Sequence, residues 1–275
     1  MEITHIIHLL ILLILATEIV TGRHKGVYDK DDLLLTIGSL AITRLVMSPL
    51  AAGLVALVMV TVLPGFTGSM SETPIWMALL GMVLLGDFLF YWVHRAAHNP
   101  AKFPFLYKLH ATHHTATFMN VSLMARINVF WVFFQPYLWV SGLAVYLGMT
   151  EAAVYFFTGM MAWNAFTHTN FRWDDGIRNN LPKGDAIVQA IEWVFITPRL
   201  HHTHHGYGKD GKAFRNYCTM LSIYDRMFGT LFIPEGRPAK YGIIGRNNKN
   251  TSLWEQLAYP IFKTRKKEVV PVQEA

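Results

Sequence analysis

Charged side chains are scarce in this chain. Asp, Glu, Lys and Arg make up only 15% of its 275 residues, whereas 52% are hydrophobic. Soluble domains usually contain about a quarter charged residues, so the shortage argues against an ordinary water-soluble fold and favours lipid as part of the solvent. The net charge of +6 is small and lies in loops and the C-terminal tail. That distribution predicts no nucleic-acid partner and suits the anionic cytoplasmic leaflet of a membrane.

Cysteine is nearly absent as well. Cys218 is the single cysteine, so no intrachain disulfide can form and an oxidising compartment gains no support. The sequence has no internal repeat and no recognisable haem-binding or flavin-binding module. A Gly-x-Gly-x-x-Gly run at residues 206–211 has no predicted strand before it, so it does not indicate a nucleotide site.

Long apolar runs, in contrast, are plentiful. Ile3 to Val20 predicts a retained membrane span, because no basic region precedes it and no small-residue cleavage site follows. Leu33 to Leu63 predicts either one long tilted span or an interfacial helix followed by a short span. Ile75 to Val93 has 19 residues, about 28 Å as a helix, which matches the hydrocarbon thickness. Val129 to Leu147 and Ala152 to Thr167 predict a helical hairpin through the bilayer.

The distribution of Lys and Arg predicts the orientation of these spans. The loop at 64–74 has neither residue, whereas residues 22–32 and the stretch after Val93 have several, so the first should lie outside and the others in the cytoplasm. Threading the spans in this way places all the histidine clusters described below at the cytoplasmic face. The predicted fold is therefore an all-α, multi-pass transmembrane bundle, with a cap of short cytoplasmic helices from Thr169 onward that carries a histidine-rich dimetal site.

Histidine is the most informative residue type. Ten of the thirteen histidines form three clusters and one outlier, each at or near the end of an apolar run. A helix places residues three and four apart on one face, so each cluster directs two or three imidazoles at one point. The clusters are His94 and His98; His110, His113 and His114; and His201, His202, His204 and His205, with His168 as the outlier.

Imidazoles in this number predict two metal ions. Neutral imidazole is the commonest protein ligand for borderline metals, and one ion that keeps an open position rarely takes more than about five or six protein ligands. The alternative is an exposed histidine tract that binds metal adventitiously, but such a tract would not place every cluster at the end of a span. A lone histidine such as His168 often only hydrogen-bonds at the interface, yet its company favours ligation. His202 fits a neighbour of the ligands as well as a ligand.

Three polar residues near the clusters are expected to support them. Asp87 and Tyr91 share a helix face with His94, and a carboxylate at that depth costs about 2.5–3.5 kcal/mol. A hydrogen bond from an imidazole N–H to Asp87 would compensate and orient the ligand; pairing with Arg44 is the alternative. Asn164 lies one turn below His168 and is expected to hydrogen-bond a ligand.

These motifs resemble the fatty acid hydroxylase/sterol desaturase superfamily over about half of the chain. The resemblance rests on Asp-x3-Tyr-x2-His-Arg-x2-His at 87–98, His-x2-His-His at 110–114, His-Thr-Asn at 168–170, Pro-Arg-Leu-His-His-x-His-His at 198–205 and Tyr-Asp-Arg-Met-Phe-Gly-Thr at 224–230. It implies that nine histidines bind a non-haem di-iron centre and form the catalytic site: His94, His98, His110, His113, His114, His168, His201, His204 and His205. Some members carry a further histidine where this chain has Asn164.

The resemblance also implies a reaction. Family members use two iron ions, for which zinc can substitute in purified material, and O2 as co-substrate to hydroxylate or desaturate a C–H site of a lipid such as a fatty acyl chain or sterol in lipid biosynthesis. Such a bond offers no acid–base handle, so its oxidation needs a redox metal. Because the chain shows no haem or flavin module, a separate electron donor is expected, either cytochrome b5, a ferredoxin or a reductase.

Three regions are predicted: membrane-anchoring helices at 1–74, a fatty acid hydroxylase-like di-iron domain at 75–235, and an interfacial helix with a basic tail at 236–275. Two other functions compete. A membrane metal transporter or metal-binding protein would place its ligands near the bilayer midplane, whereas these lie at span ends. A structural zinc site closes on four ligands, fewer than half the number available here.

Overall fold

The computed structural model describes residues 3–244 and 251–263, which are mainly helical. Strands are confined to a two-residue antiparallel ladder in which Gly206 pairs with Tyr241 and Tyr207 with Lys240. The helices are α1 (Ile3–Val20), α2 (Lys30–Ile42), α3 (Ser48–Val62), α4 (Ile75–Ala97), α5 (Pro104–His114), α6 (Pro136–Tyr146), α7 (Thr150–His168), α8 (Trp173–Asn180), α9 (Gly184–Glu192), α10 (Pro198–His205), α11 (Ser222–Met227) and α12 (Leu253–Ala258).

The second apolar region forms one unbroken helix. A π-helical turn at Thr43–Met47 joins α2 to α3, so the helix runs from Lys30 to Val62. It starts at a capping box, in which the Asp29 side chain accepts a hydrogen bond from the backbone N–H of Asp32 at 2.8 Å. Of the two arrangements predicted from the sequence, the single long helix is confirmed.

Two helices in the described chain are long and apolar enough to cross a bilayer. They are residues 30–62 and α4, and only 11% and 33% of their most apolar stretches are buried inside the protein. A helix in the core of a soluble protein would be covered on most sides, so this exposure favours a membrane protein. Passage of the other helices through the bilayer stays a prediction.

The prediction of one continuous helix over Val129–Leu147 is wrong. Residues 129–134 form a 3-10 helix, Gln135 is extended, and α6 begins only at Pro136. Proline disfavours helical geometry in the residue before it, so the run breaks at this point. The eleven residues of α6 extend about 16 Å, too short to cross the hydrocarbon core unaided.

The loop at 64–74, predicted to lie outside, is in contact with the turn between α6 and α7. The backbone N–H of Gly68 donates to the carbonyl of Tyr146 at 3.0 Å, and that of Met70 donates to Leu147 at 2.8 Å. These bonds join the loop after α3 to the turn between α6 and α7. Both loops therefore lie at one end of the bundle, as the threading of the spans predicts.

The core of the bundle is formed by α4, α6 and α7. Gly86 of α4 faces Phe156 of α7 so closely that an added Cβ would lie 2.6 Å from the ring. Tyr137 of α6 stacks on Phe90 with the ring centroids 5.1 Å apart. The absence of a side chain at Gly86 therefore permits the approach of α7, whose far end carries His168.

Short helices follow α7, as expected for the cap. Buried ion pairs hold them together: Arg199 pairs with Glu192, and Arg237 pairs with Asp174 and Asp175. The predicted interfacial helix at Leu253–Phe262 is helical only to Ala258, and the basic residues of the predicted tail at 265–267 lie outside the described residues. The cytoplasmic location of the cap stays a prediction.

Single-cysteine labelling tests this orientation. In a Cys218→Ala background, Ser69→Cys should react only from outside the cell and Lys209→Cys only from the cytoplasm, because both side chains are exposed and the charge distribution places them on opposite faces. The measurement is modification by a membrane-impermeant maleimide before and after permeabilisation. Labelling of both positions from one side would contradict the threading.

Candidate dimetal centre

All nine histidines identified above as metal ligands are buried, none being more than 9% exposed. They converge from four elements: the end of α4, the helices α5 and α10, and the end of α7. Local sequence explains the start of α10, since Pro198 occupies its first position and the Thr197 hydroxyl accepts from the backbone N–H of Leu200 at 3.4 Å.

The imidazoles divide into two groups, and within each group the candidate ligand atoms lie within 4.8 Å of one another. The first group has five members and the second has four, which is the division expected for two metal ions rather than one. The first is His94, His98, His110, His114 and His204; the second is His113, His168, His201 and His205.

Hydrogen bonds fix the tautomers in the first group. Nδ1 of His94 donates to the carbonyl of Tyr217 at 2.5 Å, and Nδ1 of His204 donates to that of Arg215 at 2.7 Å. In a neutral imidazole the other nitrogen is then a bare acceptor. The two Nε2 atoms lie 3.1 Å apart, so they present lone pairs to each other. A cation bound by both would convert this repulsion into coordination.

The second group repeats the arrangement. Nδ1 of His168 donates to the Asn164 carbonyl at 2.7 Å and Nδ1 of His113 donates to the Arg126 carbonyl at 3.4 Å, while their Nε2 atoms lie 3.1 Å apart. Two imidazole nitrogens that each bind one metal ion at about 2.1 Å, with about 90° between the two bonds, would lie about 3.0 Å apart. The donor set therefore fits a metal ion in each group.

The two imidazole groups are in direct contact. His114 of the first and His205 of the second stack with centroids 4.2 Å apart and their planes 10° from parallel. Burial lowers the pKa of both residues well below the ordinary 6.5, and neighbouring imidazoles lower it further. Both rings are thus neutral near pH 7, the form in which imidazole binds metal. Nε2 of His98 is also buried without a hydrogen-bond partner among the described residues, as expected for a nitrogen that binds a metal ion.

The prediction that Asp87 accepts a hydrogen bond from an imidazole is wrong, because Asp87 does not contact an imidazole. Its carboxylate accepts the Tyr137 hydroxyl at 2.7 Å and the backbone N–H groups of Thr219, Met220 and Leu221 at 3.2, 3.3 and 2.5 Å. The alternative pairing with Arg44 is not formed either. Asp87 instead anchors the loop whose Tyr217 carbonyl receives His94, so it acts on the ligand through the backbone.

The other predicted supporting residues have different positions. Tyr91 hydrogen-bonds Thr230 at 3.1 Å and accepts from Arg95 at 2.9 Å, away from the imidazoles. Asn164 does hydrogen-bond the candidate ligand His168, as predicted, although through its backbone carbonyl.

His202 lies in neither imidazole group and is within hydrogen-bonding distance, 3.3 Å, of the Arg237 guanidinium. Of the two interpretations left open, this position favours that of a neighbour of the candidate ligands.

Sequence reasoning missed the groups that orient the ligands, because most are backbone carbonyls. One side-chain signal was present in the motif at 224–230. The Asp225 carboxylate accepts the N–H groups of Tyr217 at 2.8 Å and Cys218 at 2.9 Å. Asp87 and Asp225 thus hold opposite ends of the same loop, 217–221, against the centre.

A cavity of about 1040 Å³ reaches this centre. Its walls come from α1, the 30–62 helix, α6 and α7, and they are mainly apolar. Imidazoles of both groups also line it, namely His94, His110, His113, His168 and His201. A mainly apolar cavity of this volume can admit an apolar chain to the candidate metal-binding side chains.

Comparison with known proteins agrees with this architecture. A family model described as fatty acid hydroxylase matches residues 78–230, more than half of the chain. An alkylglycerol monooxygenase of Danio rerio is 31% identical over 61% of this chain and 32% of its own length. An ornithine lipid hydroxylase of Rhizobium tropici is 28% identical over 70% of this chain and 52% of its own length, and an Arabidopsis thaliana very-long-chain aldehyde decarbonylase is 26% identical over 53% and 22%.

The chain spans about a third of the length of the alkylglycerol monooxygenases that it matches. No solved structure matches it significantly. The family model nevertheless runs from the first turn of α4 to the end of α11 and includes all nine buried histidines of the two groups. This chain belongs to the fatty acid hydroxylase family.

Proposed function

We propose that the protein is a membrane-bound di-iron oxidoreductase that hydroxylates a C–H site of a lipid at the cytoplasmic face. The observation that carries the proposal is the pairing of bare Nε2 atoms in both imidazole groups at the end of an apolar cavity. Hydroxylation is preferred to desaturation because the alkylglycerol monooxygenase and ornithine lipid hydroxylase relatives are named for oxygen insertion.

The nine histidines of the two groups would hold two iron ions, which supply the activation of O2 when bound. In the balanced reaction, the lipid C–H, O2, two electrons and two protons give C–OH and water. The electrons come from a separate donor protein. This requirement distinguishes the proposed enzyme from a metal transporter, which consumes neither O2 nor reductant.

The chain itself orients ligands and substrate. Main-chain carbonyls of Tyr217 and Arg215 hold the Nδ1 protons of His94 and His204, so the Nε2 atoms face inward. Trp131 and Phe157 line the cavity, where apolar side chains exclude water from the reacting carbon. These residues thus position a hydrocarbon segment beside the centre.

Turnover with isotopic oxygen tests the proposal directly. Purified protein loaded with ferrous iron and given a chemical or protein reductant, a lipid extract and 18O2 should yield one lipid class heavier by a single 18O atom. High-resolution mass spectrometry measures the gain. Label arriving from water instead, or iron flux into proteoliposomes with no oxidised lipid, would contradict the hydroxylase and favour the transport alternative.

Metal stoichiometry tests the division into groups. His204→Ala removes a ligand of the first group and His201→Ala one of the second, so each variant should retain about one of two iron ions per chain. His202→Asn is the matched control, because it lies between them on α10 and outside both groups, and should keep two. Elemental analysis of the purified proteins gives the ratio; a wild-type value near one would refute a dinuclear centre.

Replacement of Asp87 tests its anchoring role. Asp87→Asn turns an oxygen that accepts backbone N–H groups into a donor, and leaving those groups unpaired costs about 1–3 kcal/mol. The melting temperature and the iron content should both fall, with iron recovering partly at lower temperature as the 217–221 loop re-forms. Asp31→Asn, on exposed α2, serves as control, and unchanged iron binding in Asp87→Asn would exclude action through the Tyr217 carbonyl.

A further inference from the structure

The cavity has one polar side, formed by the 30–62 helix. Thr36, Thr43 and Arg44 all line it. Thr36 and Thr43 are seven residues apart and share a helix face. Arg44 contacts the Sδ atom of Met161 at 3.4 Å, and no carboxylate among the described residues forms an ion pair with it. A guanidinium that lines an apolar cavity without a counter-ion can form charge-assisted hydrogen bonds with an anionic group that enters the cavity.

The two threonines are also left without partners. Threonines in apolar helices normally return their hydroxyl to their own helix, as Thr61 does to Leu57 and Thr158 to Val154, both at 2.7 Å. The hydroxyls of Thr36 and Thr43 are buried and make no hydrogen bond in the structure. Thr43 is only 8% exposed, so solvent does not serve in place of a partner. These hydroxyls are available to a molecule in the cavity.

The helix backbone is also irregular at Arg44. Arg44 lies in the π-helical turn at Thr43–Met47, and such turns interrupt α-helices frequently at functional sites. Eighteen residues separate Arg44 from Val62 at the helix end, about 27 Å, and nineteen separate Ile75 from His94, about 28 Å. Both helices leave the same loop, so Arg44 and His94 reach similar depths, near one boundary of the hydrocarbon.

The cavity opens beside this turn. Leu12 of α1 and Leu40 of α2 line it and are 60% and 47% exposed, so the mouth faces the surface that lipid would cover. A lipid entering there would carry its chain inward and leave its polar end at the boundary, where Arg44 stands.

We infer that Arg44, Thr43 and Thr36 bind the oxyanion, phosphate or carboxylate, at the polar end of an anionic lipid substrate. The inference rests on the proposed function and specifies its substrate class. Met161, which touches Arg44, is seven residues before His168 on the same face of α7, about 10 Å along the helix. The oxidised carbon therefore lies well along the chain, away from the charged group.

Equilibrium binding tests this assignment without turnover. The probes are oleoyl lysophosphatidic acid, oleic acid and monoolein, which share one chain and differ in the charge at the polar end, and the protein is the full chain in phosphatidylcholine nanodiscs. The wild type should bind an anionic probe more tightly than monoolein. Arg44→Gln should weaken that binding by about tenfold or more and leave monoolein unchanged, while Arg44→Lys should retain part of the preference.

Lys30→Gln is the matched control, since it removes one positive charge from the exposed start of the same helix and does not line the cavity. It should bind all probes as the wild type does. Whichever anionic probe binds more tightly identifies phosphate or carboxylate as the recognised group. Equal wild-type affinity for all three probes, or an equal loss of all three in Arg44→Gln, would overturn the assignment.

A second variant separates the cavity from the membrane surface. Ala52→Trp narrows the cavity at α3 and should weaken the binding of all three probes to a similar extent. If the Ala52→Trp variant still bound lysophosphatidic acid as tightly as the wild type, Arg44 would bind headgroups at the membrane surface rather than in the cavity. That result would refute the inference. Anionic binding without lipid oxidation would sink the proposed function alone, whereas oxidation of neutral lipids with no anionic preference would sink this inference alone.

Discussion

The centre depends on keeping a set of buried imidazoles neutral with their lone pairs turned inward. Burial provides neutrality, since desolvation opposes protonation at positions such as His114 and His205. Direction comes from carbonyl oxygens that accept the outward Nδ1–H of His94, His113, His168 and His204. The rest of the fold can be understood as the scaffold that holds those carbonyls still.

That scaffold reaches across the chain. Asp87 in α4 and Asp225 in α11 bind the N–H groups of one loop, 217–221, from opposite sides. A buried carboxylate with several amide donors is well compensated, so the cost of placing Asp87 inside an apolar helix is offset by local order. The apolar bundle and the polar centre are therefore coupled through a few residues, and neither would hold its geometry without the other.

Local patterns predicted much of this arrangement. Hydropathy located α1, α4 and the 30–62 helix, and spacing grouped eight of the nine histidines, because both signals are carried by neighbouring residues; His168 was added by the company of the clusters and by the family resemblance. The assignment of each histidine to a group depends on four distant elements meeting, which no local pattern encodes. Asp87 was singled out by its burial cost, yet its partners lie far along the chain, 50 residues away at Tyr137 and 132 to 134 residues away in the 217–221 loop. Pro136, visible in the sequence, was outweighed by the hydrophobicity around it.

Orientation by main-chain oxygen has a consequence for inheritance of the site. Most supporting contacts in metalloproteins can be lost by a single codon change in the supporting side chain, but a peptide carbonyl is supplied by every amino acid. Tyr217, Arg215, Arg126 and Asn164 could each vary in identity while still receiving the same ring proton. Drift is tolerated there for as long as the path of the chain is kept, and what selection must preserve is the trace of the backbone.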